Sequence, residues 1–225
     1  MQMTYRTDFT FGELSLSRIV TNPPWFENAY VVRDEAAKTS VVIDPGGNAD
    51  SLWSAATEGG CQLSAIWLTH GHFDHLGGAA DLQDLKDVPC VGHRDEKPIV
   101  DAQPSWSASM MSEPVRAPRN LTWLEGAEPT LALGNHHVRV IATPGHTPGG
   151  VCFDFGPFVI TGDTLFNQGV GRTDLPGGSG ATLKSSIDRL LKLLSPGVSL
   201  FAGHGDEWTI EDARPWWTQM GSYFF

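Results

Sequence analysis

Three histidines and an aspartate fall within six residues of the segment Thr69-His70-Gly71-His72-Phe73-Asp74-His75, between a strand-like run at 64–68 and a helix-like run at 75–86. A loop at the end of a strand is where α/β proteins assemble their sites, so the segment argues for a chain of alternating strands and helices. Side chains alternate along an extended backbone, and His70 and His72 therefore project to the same face. Asp74 and His75 follow as the chain turns into the helix and can address a second position. One short loop can thereby serve two metal ions. Imidazole nitrogen and carboxylate oxygen without thiolate suit zinc, iron or manganese.

One loop cannot close two coordination shells, and three further donors stand in loops directly after strand-like runs. His146 lies in Thr143-Pro144-Gly145-His146-Thr147-Pro148-Gly149-Gly150, Asp163 in Thr161-Gly162-Asp163-Thr164, and His204 in Ala202-Gly203-His204-Gly205. Glycine precedes each of them, as expected where backbone must approach a ligand closely. A lone strand-end histidine is more often structural than functional. Five of the eight histidines in matching contexts, with Asp74 and Asp163, are hard to assemble by chance. His93, His136 and His137 sit in or beside polar turns and are assigned no role.

The rest of the chain supports the alternation. Strands are expected at 29–33 and 40–43, ending in the turn Asp44-Pro45-Gly46-Gly47, followed by a helix at 49–58 stopped by Gly59-Gly60. Asp44 either orients a metal ligand or is a plain turn residue. A strand is expected at 88–91. From 94 to 120 periodicity is lost among Pro98, Pro104, Ser105, Ser107 and Ser109, so this stretch reads as an irregular insertion. Its Trp106, Met110 and Met111 either anchor it to the core or cover a substrate. Strands at 137–141, 151–155, 158–161 and 198–202 and helices at 182–194 and 210–220 complete the pattern. Two sheets packed together with helices outside follow from it.

The 225 residues carry 15 basic and 26 acidic side chains, a formal net charge of −11. A surface that acidic disfavours nucleic acid and anionic membrane as partners. Cys61, Cys90 and Cys152 are widely spaced and odd in number; they read as buried apolar residues in a reducing compartment. Residues 1–10 are polar, without the apolar core of a signal peptide, and no apolar run approaches a membrane span. The expected location is cytoplasmic. The C-terminal Trp216, Trp217 and Tyr223-Phe224-Phe225 either pack on their own domain or contact another subunit.

The string T-H-x-H-x-D-H, followed in order by P-G-H-T, G-D and G-H-G elements, resembles the metallo-β-lactamase superfamily from about Asn28 to Ile210. Within it, Gly162-Asp163-Thr164-Leu165-Phe166 and Gly171-Arg172-Thr173-Asp174 resemble the small glyoxalase II-like hydrolases. The resemblance implies one α/β domain over 1–225, a four-layer αβ/βα sandwich with two mixed sheets and helices outside. It assigns His70, His72 and His146 to a first divalent ion, Asp74, His75 and His204 to a second, and Asp163 to both. Zinc leads, with iron or manganese as alternatives. It further implies that a hydroxide shared by the two ions attacks a small thioester, S-lactoylglutathione or a related hydroxyacyl thiol, with Asp74 and Asp163 as the catalytic carboxylates.

The full-length glyoxalase II enzymes carry basic residues in a C-terminal helical domain. Here the 21 residues after His204 hold one basic residue, Arg214, so the usual glutathione clamp is not expected among them. Trp25 and Phe26 are candidates for an apolar pocket wall, and Arg172 is expected to pair with Asp174. The alternatives are a mononuclear-iron persulfide dioxygenase using the counterparts of His70, His146 and Asp163, and a lactonase or β-lactamase.

Overall fold

The alternation Leu14-Ser15-Leu16-Ser17 buries one side of an N-terminal hairpin, β1 (Arg6–Phe11) and β2 (Leu14–Thr21), which the expected elements had left out. The computed structural model describes residues 5–110, 113–126 and 128–225. β3 (Glu27–Asp34) and β4 (Thr39–Ile43) continue this sheet antiparallel, and β5 (Gln62–Trp67), β6 (Cys90–His93) and β7 (Leu121–Leu124) extend it in parallel. β3 and β4 are nearly buried on both faces, which is why they read as continuous apolar runs.

The second sheet has the order β15-β14-β11-β10-β9-β8. Its strands are β8 (Thr130–Leu133), β9 (His136–Ala142), β10 (Val151–Asp154), β11 (Phe158–Gly162), β14 (Ser199–Ala202) and β15 (Trp208–Thr209). Only β11 and β14 pair in parallel there. A two-stranded ribbon, β12 (Leu165–Phe166) with β13 (Gly169–Val170), stands apart.

Three apolar clusters make four layers. Leu52, Leu76 and Leu82 on α1 (Ala49–Ala56), α2 (Phe73–Leu76) and α3 (Ala79–Leu85) pack on the outer face of the first sheet with Val31, Val42 and Ile66. Leu16, Val32, Trp67, Val140, Phe153 and Phe201 fill the space between the sheets. Leu183, Ile187 and Leu190 of α5 (Gly180–Leu193) and Ala213 and Trp217 of α6 (Ile210–Met220) cover the second sheet. This is the expected four-layer αβ/βα sandwich with two mixed sheets. Ser179 caps α5 and Thr209 caps α6, each accepting a backbone N–H three residues on.

Two expected elements change. The helix at 75–86 is two pieces, because Gly77 and Gly78 interrupt it where the backbone of 45–47 presses close: a Cβ on Gly77 would lie 2.9 Å from the Gly46 carbonyl oxygen. The irregular stretch at 94–120 contains α4 (Lys97–Ser107). Its buried face is Ile99, Val100, Gln103 and Ser107, half polar, so no apolar stripe marks it. The buried Gln103 and Ser107 side chains instead donate to the carbonyls of Ile99 and Gln103, and Pro104, which has no N–H to give, is carried within the helix. Met111 lies outside the described residues.

Candidate metal centre

Parallel strands bring the donors to one end of the molecule. β4 and β5 run side by side and release Asp44 and the His70–His75 loop at their carboxyl ends. β11 and β14 do the same for Asp163 and His204, and the turn from β9 to β10 carries His146. A hydrogen bond from the Val151 N–H to the Thr69 carbonyl (2.8 Å) ties the two halves together beside the site. All seven residues read from the sequence as ligand candidates converge there.

They form two adjoining groups, His70 with His72 and His146, and Asp74 with His75 and His204, the ligand atoms of each lying within 4.8 Å of one another. The rings of His70, His72 and His146 stand nearly perpendicular to each other at centroid distances of 4.7–4.8 Å. Nδ1 of His72 and Nε2 of His146 face each other at 3.0 Å. Asp163 lies between the groups: Oδ1 is 3.3 Å from His75 Nε2, and Oδ2 is 3.6 Å from His146 Nε2 and 3.7 Å from His204 Nε2. Gly203 makes room for this, since a Cβ there would stand 2.3 Å from Asp163 Oδ1.

The buried His70 Nε2 has no hydrogen-bond partner, and His75 Nε2 and Asp163 Oδ1 have only each other, 3.3 Å apart. Buried polar atoms are ordinarily satisfied, and inward-facing acceptors without donors are what a cation would complete. The paired His and Asp groups fit a dinuclear divalent metal site.

Protonation follows the same logic. Burial, with His75 and His146 nearby, holds His70 well below the ordinary histidine value, and burial with His146 pushes His72 down to about 3. Both are neutral imidazoles near pH 7, the ligating form. Burial opposes charge on His75 and on Asp163 too. The carboxylates of Asp163, Asp74 and Asp44 nevertheless raise His75 well above its ordinary value, and His75, followed by His146 and His70, holds Asp163 well below its own.

Supporting residues fix the ring orientations. Asp44 Oδ2 accepts from His75 Nδ1 (3.0 Å) and from the Thr69 hydroxyl, while Oδ1 accepts from the Thr69 N–H (2.7 Å). Thr69 Oγ1 is in turn 3.0 Å from His70 Nδ1. Carboxylates only accept, so the Thr69 hydroxyl donates to Asp44 and accepts from His70. Both rings are thereby turned with Nε2 inward, and Asp44 is an orienting residue rather than a plain turn residue. His146 Nδ1 donates to the Arg172 carbonyl (2.7 Å).

Sequence reasoning missed Glu96. Its buried carboxylate accepts from the Gly71 and Gly149 N–H groups, both at 2.7 Å, and so joins the His70–His72 loop to the His146 loop. Nothing in the local pattern marks it. Arg172 pairs with Asp174 as expected, at 2.7 Å through two nitrogens. Above the centre opens a cavity of about 410 Å³ whose walls include Trp25, Phe73, Trp106, Met110 and Phe166. Trp25 takes the wall position expected of it; Phe26, with 58% of its surface exposed, is not in that wall.

Layers and site together define a metallo-hydrolase. The sequence profile of the metallo-beta-lactamase superfamily matches residues 22–204, and the chain belongs to that superfamily. Hydroxyacylglutathione hydrolase GloC of Haemophilus influenzae is 33% identical over 187 residues, 82% of this chain and 88% of that protein. The crystal structure of BLEG-1 B3 metallo-beta-lactamase matches with a TM-score of 0.78 and 30% identity, covering 89% of this chain and 96% of that one. TTHA1623 in a di-iron-bound form matches with a TM-score of 0.75 and 34% identity, covering 87% and 96%.

Proposed function

We propose that this chain hydrolyses small thioesters of the hydroxyacyl-thiol kind, S-lactoylglutathione among them, with two divalent ions. The observation that carries the reading is Asp163 standing between two complete donor groups at the floor of an aromatic-walled cavity. The likeness to GloC, named as a hydroxyacylglutathione hydrolase, supports the thioester.

His70, His72 and His146 would hold one ion, Asp74, His75 and His204 the other, with Asp163 serving both. Zinc fits donors that lack thiolate, and iron is its rival given the di-iron form of TTHA1623. When bound, such ions polarise a carbonyl and make water acidic enough to lose a proton at about pH 7. The residues of the chain do the rest. Asp74 and Asp163 offset two of the four positive charges, leaving a cationic floor suited to an oxyanion. Asp44, Thr69 and the Arg172 carbonyl keep the imidazoles aimed. Trp25, Phe73, Trp106 and Phe166 keep bulk water off the reacting carbonyl. Thiolate is a good leaving group, so no protein acid at that position is required.

None of the described helices is long and apolar enough to cross a membrane. The substrate is proposed as a small molecule met in the cytoplasm.

The test is metal content per chain on protein purified without chelator, with turnover of S-lactoylglutathione on the same sample. Two ions per chain with hydrolysis is the expected result. One iron per chain, with oxygen consumed on glutathione persulfide and no hydrolysis, would move the chain to the dioxygenase reaction.

A further inference from the structure

The cavity has aromatic surface on both sides of the centre. The Trp106 ring lies 6.5 Å from the His72 ring, next to the first group, and the Phe166 ring lies 5.9 Å from the His204 ring, next to the second. Trp25 and Phe73 meet edge to face at 5.0 Å and close a third side. Whichever way a thioester lies across the centre, its acyl side and its thiol side both meet apolar walls. Among the described residues the cavity lining has one lysine or arginine, Arg172, whose Nε and Nη2 are bound to Asp174. A carboxylate on the substrate would meet a guanidinium whose charge Asp174 already offsets, on a chain that carries a net charge of −11.

We propose that the thioesters this site handles best carry an uncharged, apolar body, aromatic or branched, in preference to a carrier bearing carboxylates such as glutathione. This rests on the thioester reading above and narrows it. Trp106 of α4 is the specificity-determining residue: its ring offers its area to an apolar group.

The experiment compares kcat/KM of the metal-loaded protein for three thioesters: S-lactoylglutathione, the lactoyl thioester of N-acetylcysteamine and the phenylacetyl thioester of N-acetylcysteamine. The phenylacetyl thioester is expected to exceed S-lactoylglutathione by about tenfold or more, a typical gain for filling an apolar pocket. Trp106→Ala should lower the phenylacetyl value about tenfold more than either lactoyl value, with the extra loss in KM. Trp106→Phe, which keeps a ring in the wall, should retain the preference. S-lactoylglutathione preferred over the phenylacetyl thioester overturns the inference while thioester hydrolysis stands. So does an equal loss on all three substrates in Trp106→Ala. Protein with two ions that cleaves none of the three overturns both readings.

Discussion

Asp44 is the most informative residue to change, because one carboxylate orients a histidine in each donor group. It receives His75 Nδ1 directly and His70 Nδ1 through the Thr69 hydroxyl. In Asp44→Asn the amide oxygen can stay on the Thr69 N–H, which leaves an NH₂ facing the Thr69 hydroxyl and His75 Nδ1, both of which donate in the native arrangement. Donor meets donor, and one imidazole must change tautomer or turn. Losing such an outer partner typically costs about 10–100-fold in metal affinity, or about 1.4–2.8 kcal/mol per ion. Thr69→Val breaks only the path to His70. The expected pattern is therefore graded: Asp44→Asn weakens both ions by about 10–100-fold, and Thr69→Val weakens chiefly the ion of the His70, His72 and His146 group. Competition with a chromophoric chelator, fitted to two binding constants, reads both, and thermal unfolding of the metal-free variants checks folding. Asp44→Asn with native affinity at both positions, or Thr69→Val weakening both equally, would refute the orienting role.

Gly171→Ala should cut kcat by about tenfold or more, since its Cβ would lie 2.0 Å from the Asp163 carbonyl oxygen and 2.9 Å from His146 Nδ1, and overpacking of this kind costs about 1–3 kcal/mol; native kcat and melting temperature would count against it. Glu96→Gln removes an acceptor for one of two buried N–H groups, at about 1–3 kcal/mol, and should lower the denaturation midpoint while weakening the three-histidine group; an unchanged midpoint contradicts the strut. Stripping the ions with chelator should lower the melting temperature, and restoring metal to 100 times its Kd should return about 2.7 kcal/mol; a melting temperature insensitive to metal would mean that His70 Nε2 and the facing His75 Nε2 and Asp163 Oδ1 hold no cation.

Much of this site was legible because each ligand loop is a short contiguous string whose chemistry is local. His70 to His75 identify themselves by density, and His146, Asp163 and His204 by the glycine that lets backbone come close; the bounds of α6 were legible too. What stayed hidden falls under two physical causes. Where tertiary contact overrides pattern, the period misleads: the inner face of α4 uses Gln103 and Ser107, and the helix after His75 is divided at Gly77-Gly78, which are glycine because the 45–47 backbone occupies the space a Cβ would need.

The second cause lies in how the outer partners act. Asp44 in Asp-Pro-Gly-Gly reads equally as an orienting residue or a plain turn residue, and only the fold, by bringing Thr69 and His75 to its oxygens, decides between them. Glu96 works through the N–H groups of two glycines, and Arg172 orients His146 with a carbonyl that every residue possesses. A side chain that binds a metal must be a particular residue type, so it leaves a mark in the sequence. A backbone group that aims that side chain leaves none, and what can be read there is only the absence of a Cβ, as at Gly171 and Gly203. The same reasoning makes the Gly-Arg-Thr-Asp segment intelligible: its arginine side chain is bound to Asp174, while the Arg172 carbonyl and the bare Cα of Gly171 are what His146 requires. Arg172→Ala should therefore spare metal affinity where Gly171→Ala does not, and a loss of affinity in Arg172→Ala would return the role to the guanidinium.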